Sequence, residues 1–91
     1  MKLASVSSFR RCVKGLADER MAEVLAAMKR AGQAYGHPHL HAGIGLRRLG
    51  KHMECRDALD YRLIFSRDGD TLVFVFYGTH KEVQAFVKNR R

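Results

Sequence analysis

Two arginines on neighbouring predicted strands are the residues of this sequence best suited to chemistry. Arg56 and Arg62 lie among apolar residues in the segment ECRDALDYRLIF, residues 54–65. A guanidinium group stays charged at any physiological pH, and its planar fork can bind two oxygens of one phosphate. The chemistry that this pattern allows is phosphate binding and the stabilisation of charge that develops on phosphoryl oxygens.

A β-hairpin is predicted from residue 61 onward. Residues 61–66 and 71–77 are predicted strands, in which alternate side chains lie on opposite faces. Asp68-Gly69 between them is typical of a two-residue turn. That turn would pair Phe65 with Leu72. One face of the hairpin is then apolar throughout, and helices should cover it; its members are Tyr61, Leu63, Phe65, Leu72, Phe74 and Phe76.

A further strand precedes the hairpin, across a loop at Ala58–Asp60. Pairing Met53 with Phe65 keeps apolar side chains together and places Arg56 opposite Arg62. Like charges opposed in this way repel each other unless an anion or a carboxylate lies between them. A phosphate-binding face would explain the pair. The structural alternative is two solvated arginines that are screened by neighbouring carboxylates, namely Glu54, Asp57 and Asp60.

The arginines therefore occupy the second face of the sheet, opposite the helices. The alternation assigns the same face to Glu54, Ile64, Val73, Val75 and Tyr77.

Helical spacing describes the N-terminal third of the chain. After a short candidate strand at Lys2–Val6, apolar residues follow an i, i+3, i+4, i+7 pattern from Phe9 to Leu16 and again from Met21 to Met28. The pattern predicts a helical hairpin that packs on the sheet, with the second helix ending near Gly32. Arg20, Glu23, Lys29 and Arg30 are expected on its solvent side.

The segment AYGHPHLHAGIG, residues 34–45, is predicted to be a loop because it contains three glycines and a proline. His37, His39 and His41 could bind a metal if the segment were extended, but no Cys, Asp or Glu accompanies them. We expect ordinary loop histidines. After Tyr77, apolar spacing predicts a short terminal helix whose beginning brings His80 near the end of the sheet, with basic residues, Lys88, Arg90 and Arg91, in its final turn.

Size and charge limit the possible functions. The 91 residues, 46% of them hydrophobic, suffice for one domain spanning residues 1–91. A net charge of +8 favours a polyanionic partner, although a merely soluble basic surface is the alternative. Cys12 and Cys55 fall within apolar patterns and suit small buried residues in a reducing cytoplasm. No segment is apolar enough for a membrane span, and the N-terminus lacks a signal-peptide pattern, so cytoplasmic localisation is expected.

The order of these segments resembles the RelE/ParE superfamily of type II toxin–antitoxin toxins. The resemblance rests on a two-helix hairpin followed by AGIGLRRLGKHMECR, DYRLIF, a DG turn, an apolar strand and GTHKEV. It implies an α+β fold with a small antiparallel sheet of about four strands, an N-terminal helical hairpin on one face and a short C-terminal helix. The branch it most resembles cuts mRNA on translating ribosomes and is held inactive by an antitoxin, here expected to be acidic.

The resemblance also implies roles for individual residues. Arg62 matches the sheet arginine that contacts the scissile phosphate, and Arg56 matches the arginine of the preceding strand. The basic segment that contacts RNA or the ribosome is matched by Arg47, Arg48 and Lys51. His80 falls at the GxH-type motif, whereas Gln84 stands where many members have a tyrosine. The spacing between the two arginines is one residue longer than in more familiar members.

The chemistry that the resemblance implies requires no metal or cofactor. The ribose 2′-hydroxyl attacks the adjacent phosphorus and leaves a cyclic phosphate and a free 5′-hydroxyl. Candidates for base and acid are His80, Glu54 and Tyr77, since Tyr77 could replace the missing tyrosine. Two other functions remain open: a ParE-like poison of DNA gyrase, which Gln84 favours, and a non-catalytic RNA-binding or interaction module of the same fold.

Overall fold

The computed structural model describes residues 1–57 and 60–89, apart from the side chain of Ala42. The predicted loop residues Ala58 and Leu59 and the terminal Arg90 and Arg91 lie outside the described residues. In chain order the elements are β1 (Lys2–Ser5), α1 (Ser7–Val13), α2 (Asp18–Ala34), a 3-10 turn (Pro38–Leu40), α3 (His41–Ile44), β2 (Arg47–Leu49), β3 (His52–Arg56), β4 (Tyr61–Asp68), β5 (Thr71–Thr79) and α4 (His80–Lys88).

The predicted α+β class is confirmed, with one sheet and helices on both of its faces. The sheet has five strands in the order β1-β5-β4-β3-β2, rather than about four. The additional strand is β2, which pairs with β3 through a tight turn where Gly50 has a φ of +61°. The sheet is also mixed rather than antiparallel, because β1 pairs with β5 in parallel.

The hairpin between β4 and β5 differs from the predicted register. Asp68 pairs with Thr71, so the turn residues are Gly69 and Asp70, and Phe65 pairs with Phe74 instead of Leu72. Gly69 has a φ of +62°, which suits the first residue of a tight hairpin turn. This shift by two residues leaves the faces unchanged, since side chains alternate with a period of two.

A β-bulge then moves the end of β5 onto the opposite faces. Phe65 pairs with Phe74 and Ile64 pairs with Phe76, so Val75 is an extra residue on β5. An extra residue reverses the alternation beyond it. Tyr77 consequently lies opposite Leu63, and the prediction that Tyr77 shares the face of Arg62 is wrong.

The larger core lies between α1, α2 and one face of the sheet, as predicted. Leu63, Phe65 and Phe74 are fully buried there, and Phe9 of α1 and Val24 of α2 pack against them. Its centre is aromatic, because the Phe65 and Phe74 rings lie 5.2 Å apart between centroids. None of the helices in the described residues is long and apolar enough to cross a membrane.

The second face of the sheet, on which the arginines lie, is partly covered by α4. The sequence pattern did not predict this packing. Val83 and Phe86 of α4 bury Ile64 of β4, and the Phe76 ring stacks on that of Phe86 at 4.4 Å. A capping box fixes the start of this helix: the Glu82 N–H donates to the Thr79 hydroxyl, and the Thr79 N–H donates to the Glu82 carboxylate. On this face Arg56 is exposed and Arg62 is half-buried.

Candidate functional site

Arg56 and Arg62 form a directly opposed pair across β3 and β4, as the alternation predicts. Arg62 is half-buried, and its Nη1 donates a 3.2 Å hydrogen bond to the carbonyl of Tyr61. No carboxylate among the described residues lies within ion-pair distance of Arg62. A charge in this situation favours an anion from outside the chain.

Arg56 is exposed to solvent and lies against the backbone of Gly45, just before β2. A Cβ atom added at Gly45 would come within 2.5 Å of Arg56 Nε. Gly45 also has a φ of +63°, a conformation that glycine adopts without strain. The glycine therefore serves both a backbone bend and the close approach of the arginine.

Gly78 continues the row of the two arginines on β5, because it pairs with Arg62. It is buried, and an added Cβ would meet Glu82 Oε1 and the Phe76 ring, each at 3.0 Å. A larger residue at this position would have to displace Glu82 and Phe76 by a few tenths of an ångström. The start of α4 is thus held near the arginine pair.

His80 is the first residue of α4, as the spacing predicts, and is half-buried. Its backbone N–H donates to the carbonyl of Asp60 at 3.1 Å, which joins the helix start to the β3–β4 loop. The buried Nδ1 atom of its ring has no hydrogen-bond partner in the described part of the chain. Histidine side chains in general suit proton transfer at physiological pH.

Glu54 is buried in an ion pair, whereas a general base would need access to the substrate. Its side chain is 2% exposed, and its carboxylate accepts a hydrogen bond from Nε of Arg47 directly across the β2–β3 ladder. A buried carboxylate needs such a partner. The structure therefore joins Glu54 to Arg47 and leaves it two residue pairs away from the opposed arginines.

The predicted basic segment does not form one continuous surface. Arg47 and Arg48 are adjacent on β2, so their side chains point to opposite faces, and Arg48 pairs with Met53. Lys51 is exposed in the turn after β2. These three cations line an edge strand and its turn.

Tyr77 lies on the face covered by the helical hairpin, in a polar cluster that the sequence reasoning missed. Its hydroxyl accepts a hydrogen bond from Arg20, and its ring stacks on that of Tyr61 at 5.3 Å. Burial, and then the nearby Asp57 carboxylate, raise the pKa of Tyr77. This cluster holds the phenol in its neutral form and away from the arginine pair.

The helical spacing of α2 indicates that Arg20 lies on its buried side. It lies on the same stripe of α2 as the buried residues Val24, Ala27 and Ala31, and it contacts the sheet instead of lying on the predicted solvent side. Arg20 forms an ion pair with Asp57, which is 3% exposed and is therefore not a solvated screen for the arginine pair. The sequence gives no comparable signal for Asp57.

No protein-family model and no curated protein sequence matches this chain. Solved structures do match it. YafQ from Escherichia coli strain BL21(DE3) superposes with a TM-score of 0.68 and 20% identity, over 90% of this chain and 96% of that chain. A chain of the RelB-RelE antitoxin-toxin complex from Methanococcus jannaschii gives 0.64 and 12% identity, over 91% and 96%.

A copper-bound mutant toxin from Helicobacter pylori also matches, with a TM-score of 0.62 and 22% identity, over 91% of this chain and 98% of that chain. Each of these matches covers at least 90% of this chain and at least 96% of the matching chain. The fold of the described chain is therefore that of RelE-like toxins.

Proposed function

We propose that this protein is a toxin of a type II toxin–antitoxin system and that it inhibits translation by cutting mRNA on the ribosome. The fold supports the toxin role, since solved structures of this shape include a named toxin and an antitoxin-toxin complex. The observation that carries the ribonuclease role is the opposed pair of Arg56 and Arg62, in which no described carboxylate neutralises Arg62. Fold alone does not determine chemistry, so the proposal depends on this site.

The two arginines would bind the scissile phosphate. When the 2′-hydroxyl attacks phosphorus, negative charge grows on the phosphoryl oxygens. Arg56 and Arg62 are directly paired on adjacent strands, so the sheet would present both guanidinium groups to one phosphate. A bound phosphate would also relieve the repulsion between the two arginines.

His80 is our candidate for proton transfer in this reaction. It begins the helix that follows Gly78, the pairing partner of Arg62. Glu54 and Tyr77 are weaker candidates, because Glu54 is buried against Arg47 and Tyr77 lies on the other face of the sheet. We therefore assign the acid or base role to His80 alone.

The basic edge formed by β2 and its turn would bind the RNA backbone or ribosomal RNA. Arg48 and Lys51 are exposed, and Arg47 remains 61% exposed while it pairs with Glu54. With a net charge of +8, the chain would be attracted to RNA over the range of a Debye length. These residues would contribute salt-dependent affinity rather than base specificity.

An acidic antitoxin is the second proposed partner. One matching structure is an antitoxin-toxin complex, and the strong basic charge of this chain favours a partner of opposite sign. Electrostatic steering predicts that the association rate falls as salt is added. An association rate that is equal at low and high salt would contradict this account.

Reporter mRNA in a translation extract provides the functional test. The proposal predicts cleavage that depends on translating ribosomes and leaves a cyclic phosphate at the new 3′ end. Intact mRNA together with gyrase-trapped DNA breaks would instead identify a ParE-like poison. Intact mRNA without DNA breaks would indicate a binding module.

A further inference from the structure

Arg20, near the start of α2, lies in a polar cluster on the face of the sheet opposite the arginine pair. Its side chain is 24% exposed, and its guanidinium carbon lies 4.4 Å from the centroid of the Tyr61 ring. The same group donates to the hydroxyl of Tyr77 and forms a 2.8 Å ion pair with Glu23. A planar guanidinium can stack on one ring and donate to several acceptors at once, which an ammonium cannot do.

Asp57 is the buried anion of this cluster. Its carboxylate is 3% exposed, and Oδ2 lies 3.8 Å from Nη2 of Arg20. That oxygen has no hydrogen-bond partner in residues 1–57 and 60–89. Arg20 is thus the cation that compensates a buried carboxylate, and such a carboxylate is strongly destabilising when its partner is removed.

Both ends of the β3–β4 loop are tied to this cluster. The Asp57 N–H donates to the carbonyl of Tyr61 at 3.0 Å, so two of the residues that contact Arg20 also close the loop. The adjacent Asp60 carbonyl accepts the N–H of His80. Arg56 immediately precedes the loop, and Arg62 follows Tyr61.

We propose that Arg20 is a positioning residue for the phosphate site. From the opposite face of the sheet it fixes Asp57 and Tyr61. Through these two residues it sets the distance between Arg56 and Arg62 and the position of His80. The inference builds on the proposed function, because it assigns the control of that site to a residue that does not contact the substrate. Displacements of about 1 Å in such a site can lower the rate about 100-fold.

Hydrogen exchange on the full chain tests the structural half of this proposal without any activity. In Arg20→Met we expect loss of protection at the amides of Asp57 and His80, while the amide of Ala31 in the same helix remains protected. The matched control is Arg30→Met, which removes an exposed arginine of α2 and should leave all three amides unchanged. Full protection of Asp57 and His80 in Arg20→Met would overturn the proposal.

A double variant separates positioning from simple stabilisation. Arg20→Met should melt at a lower temperature, and adding Asp57→Asn should recover much of the loss because the buried charge is gone. Cleavage by the double variant should stay about 100-fold below the parent, with unchanged RNA affinity. Cleavage that returns together with the melting temperature would overturn the positioning role. A parent protein that cuts no mRNA would refute the proposed function. Hydrogen exchange would still test whether Arg20 fixes Asp57 and the start of α4.

Discussion

Arg56 and Arg62 face each other across β3 and β4, and Gly78 continues their row on β5. Two like charges are therefore held side by side, next to a strand position that has no side chain. Like charges held directly opposite each other across a ladder repel. Gly45 leaves the space that the Arg56 side chain occupies, whereas Gly78, opposite Arg62, leaves space for Glu82 and Phe76.

Gly45→Ala should displace Arg56 and lower cleavage by about 10-fold to 100-fold, because the new methyl group would collide with the guanidinium. Gly50→Ala is the matched control. Gly50 has almost the same backbone conformation, with φ of +61° against +63°, but no atom lies within 4 Å of its added Cβ. Both variants should lose about 1–2 kcal/mol of stability, measured by urea unfolding. Equal activity in the two variants would contradict the role of Arg56.

Arg47→Met should destabilise the fold by about 1–3 kcal/mol, because the buried Glu54 carboxylate would lose its hydrogen-bond donor. Arg48→Met, on the same strand, should change stability by less than about 0.5 kcal/mol because Arg48 is exposed. Denaturant unfolding of both variants checks this prediction. Similar stabilities for the two would show that the Arg47 and Glu54 pair contributes nothing.

Leu63→Ala should cost about 2–5 kcal/mol, since Leu63 is fully buried beneath the helices and its truncation leaves a cavity. Leu25→Ala removes the same atoms from a residue that is 46% exposed on α2, and it should have a much smaller effect. Thermal or urea unfolding distinguishes the two. A Leu63→Ala protein as stable as the parent would contradict the assignment of the helix-covered face.

Alkaline pH should destabilise the protein through Cys55. Burial, followed by the charge of Asp57, raises the pKa of its thiol from 9.0 to about 12. The folded state therefore keeps a proton that the unfolded chain loses, so this contribution is complete below pH 9 and is lost as the pH rises toward about 12.

The slope of stability against pH provides the measurement for Cys55. Between about pH 9 and about pH 11, Cys55→Ala should lose less stability per pH unit than the parent, by up to about 1.4 kcal/mol. The comparison uses slopes because the substitution also leaves a small cavity. Identical slopes would contradict the raised pKa.

The sequence predicted the strand pairing around the arginines because a buried face restricts register strongly. Met53 opposite Phe65 and Arg56 opposite Arg62 both follow from alternation, and both are confirmed. The α4 start at His80 also followed from spacing. Local patterns assigned the faces where one face of an element was consistently apolar, but they did not give the register between β4 and β5.

The side of Tyr77 could not be predicted in the same way. The bulge at Val75 leaves no mark in a segment that is apolar at every position from Leu72 to Tyr77, so alternation cannot locate it. The parallel pairing of β1 with β5 and the ion pair between Arg20 and Asp57 join residues far apart in sequence. Such contacts depend on the tertiary arrangement and have no local signature.

The central claim is that the arginine pair stabilises charge on a scissile phosphate, and Arg62→Ala tests it most directly. Reporter mRNA cleavage in a translation extract should fall about 100-fold or more, corresponding to about 2.7–4 kcal/mol of lost transition-state stabilisation. Arg62→Lys should restore little, because one ammonium cannot grip two oxygens. Arg67→Ala removes an exposed arginine from the same strand and should cleave normally.

A melting curve on the same preparation shows whether the Arg62→Ala protein is folded. Its melting temperature should stay equal or rise slightly, since one of two opposed like charges is gone. The account predicts a folded protein that has lost cleavage and no longer arrests growth on induction. A folded Arg62→Ala protein that cleaves mRNA at the parental rate would contradict it.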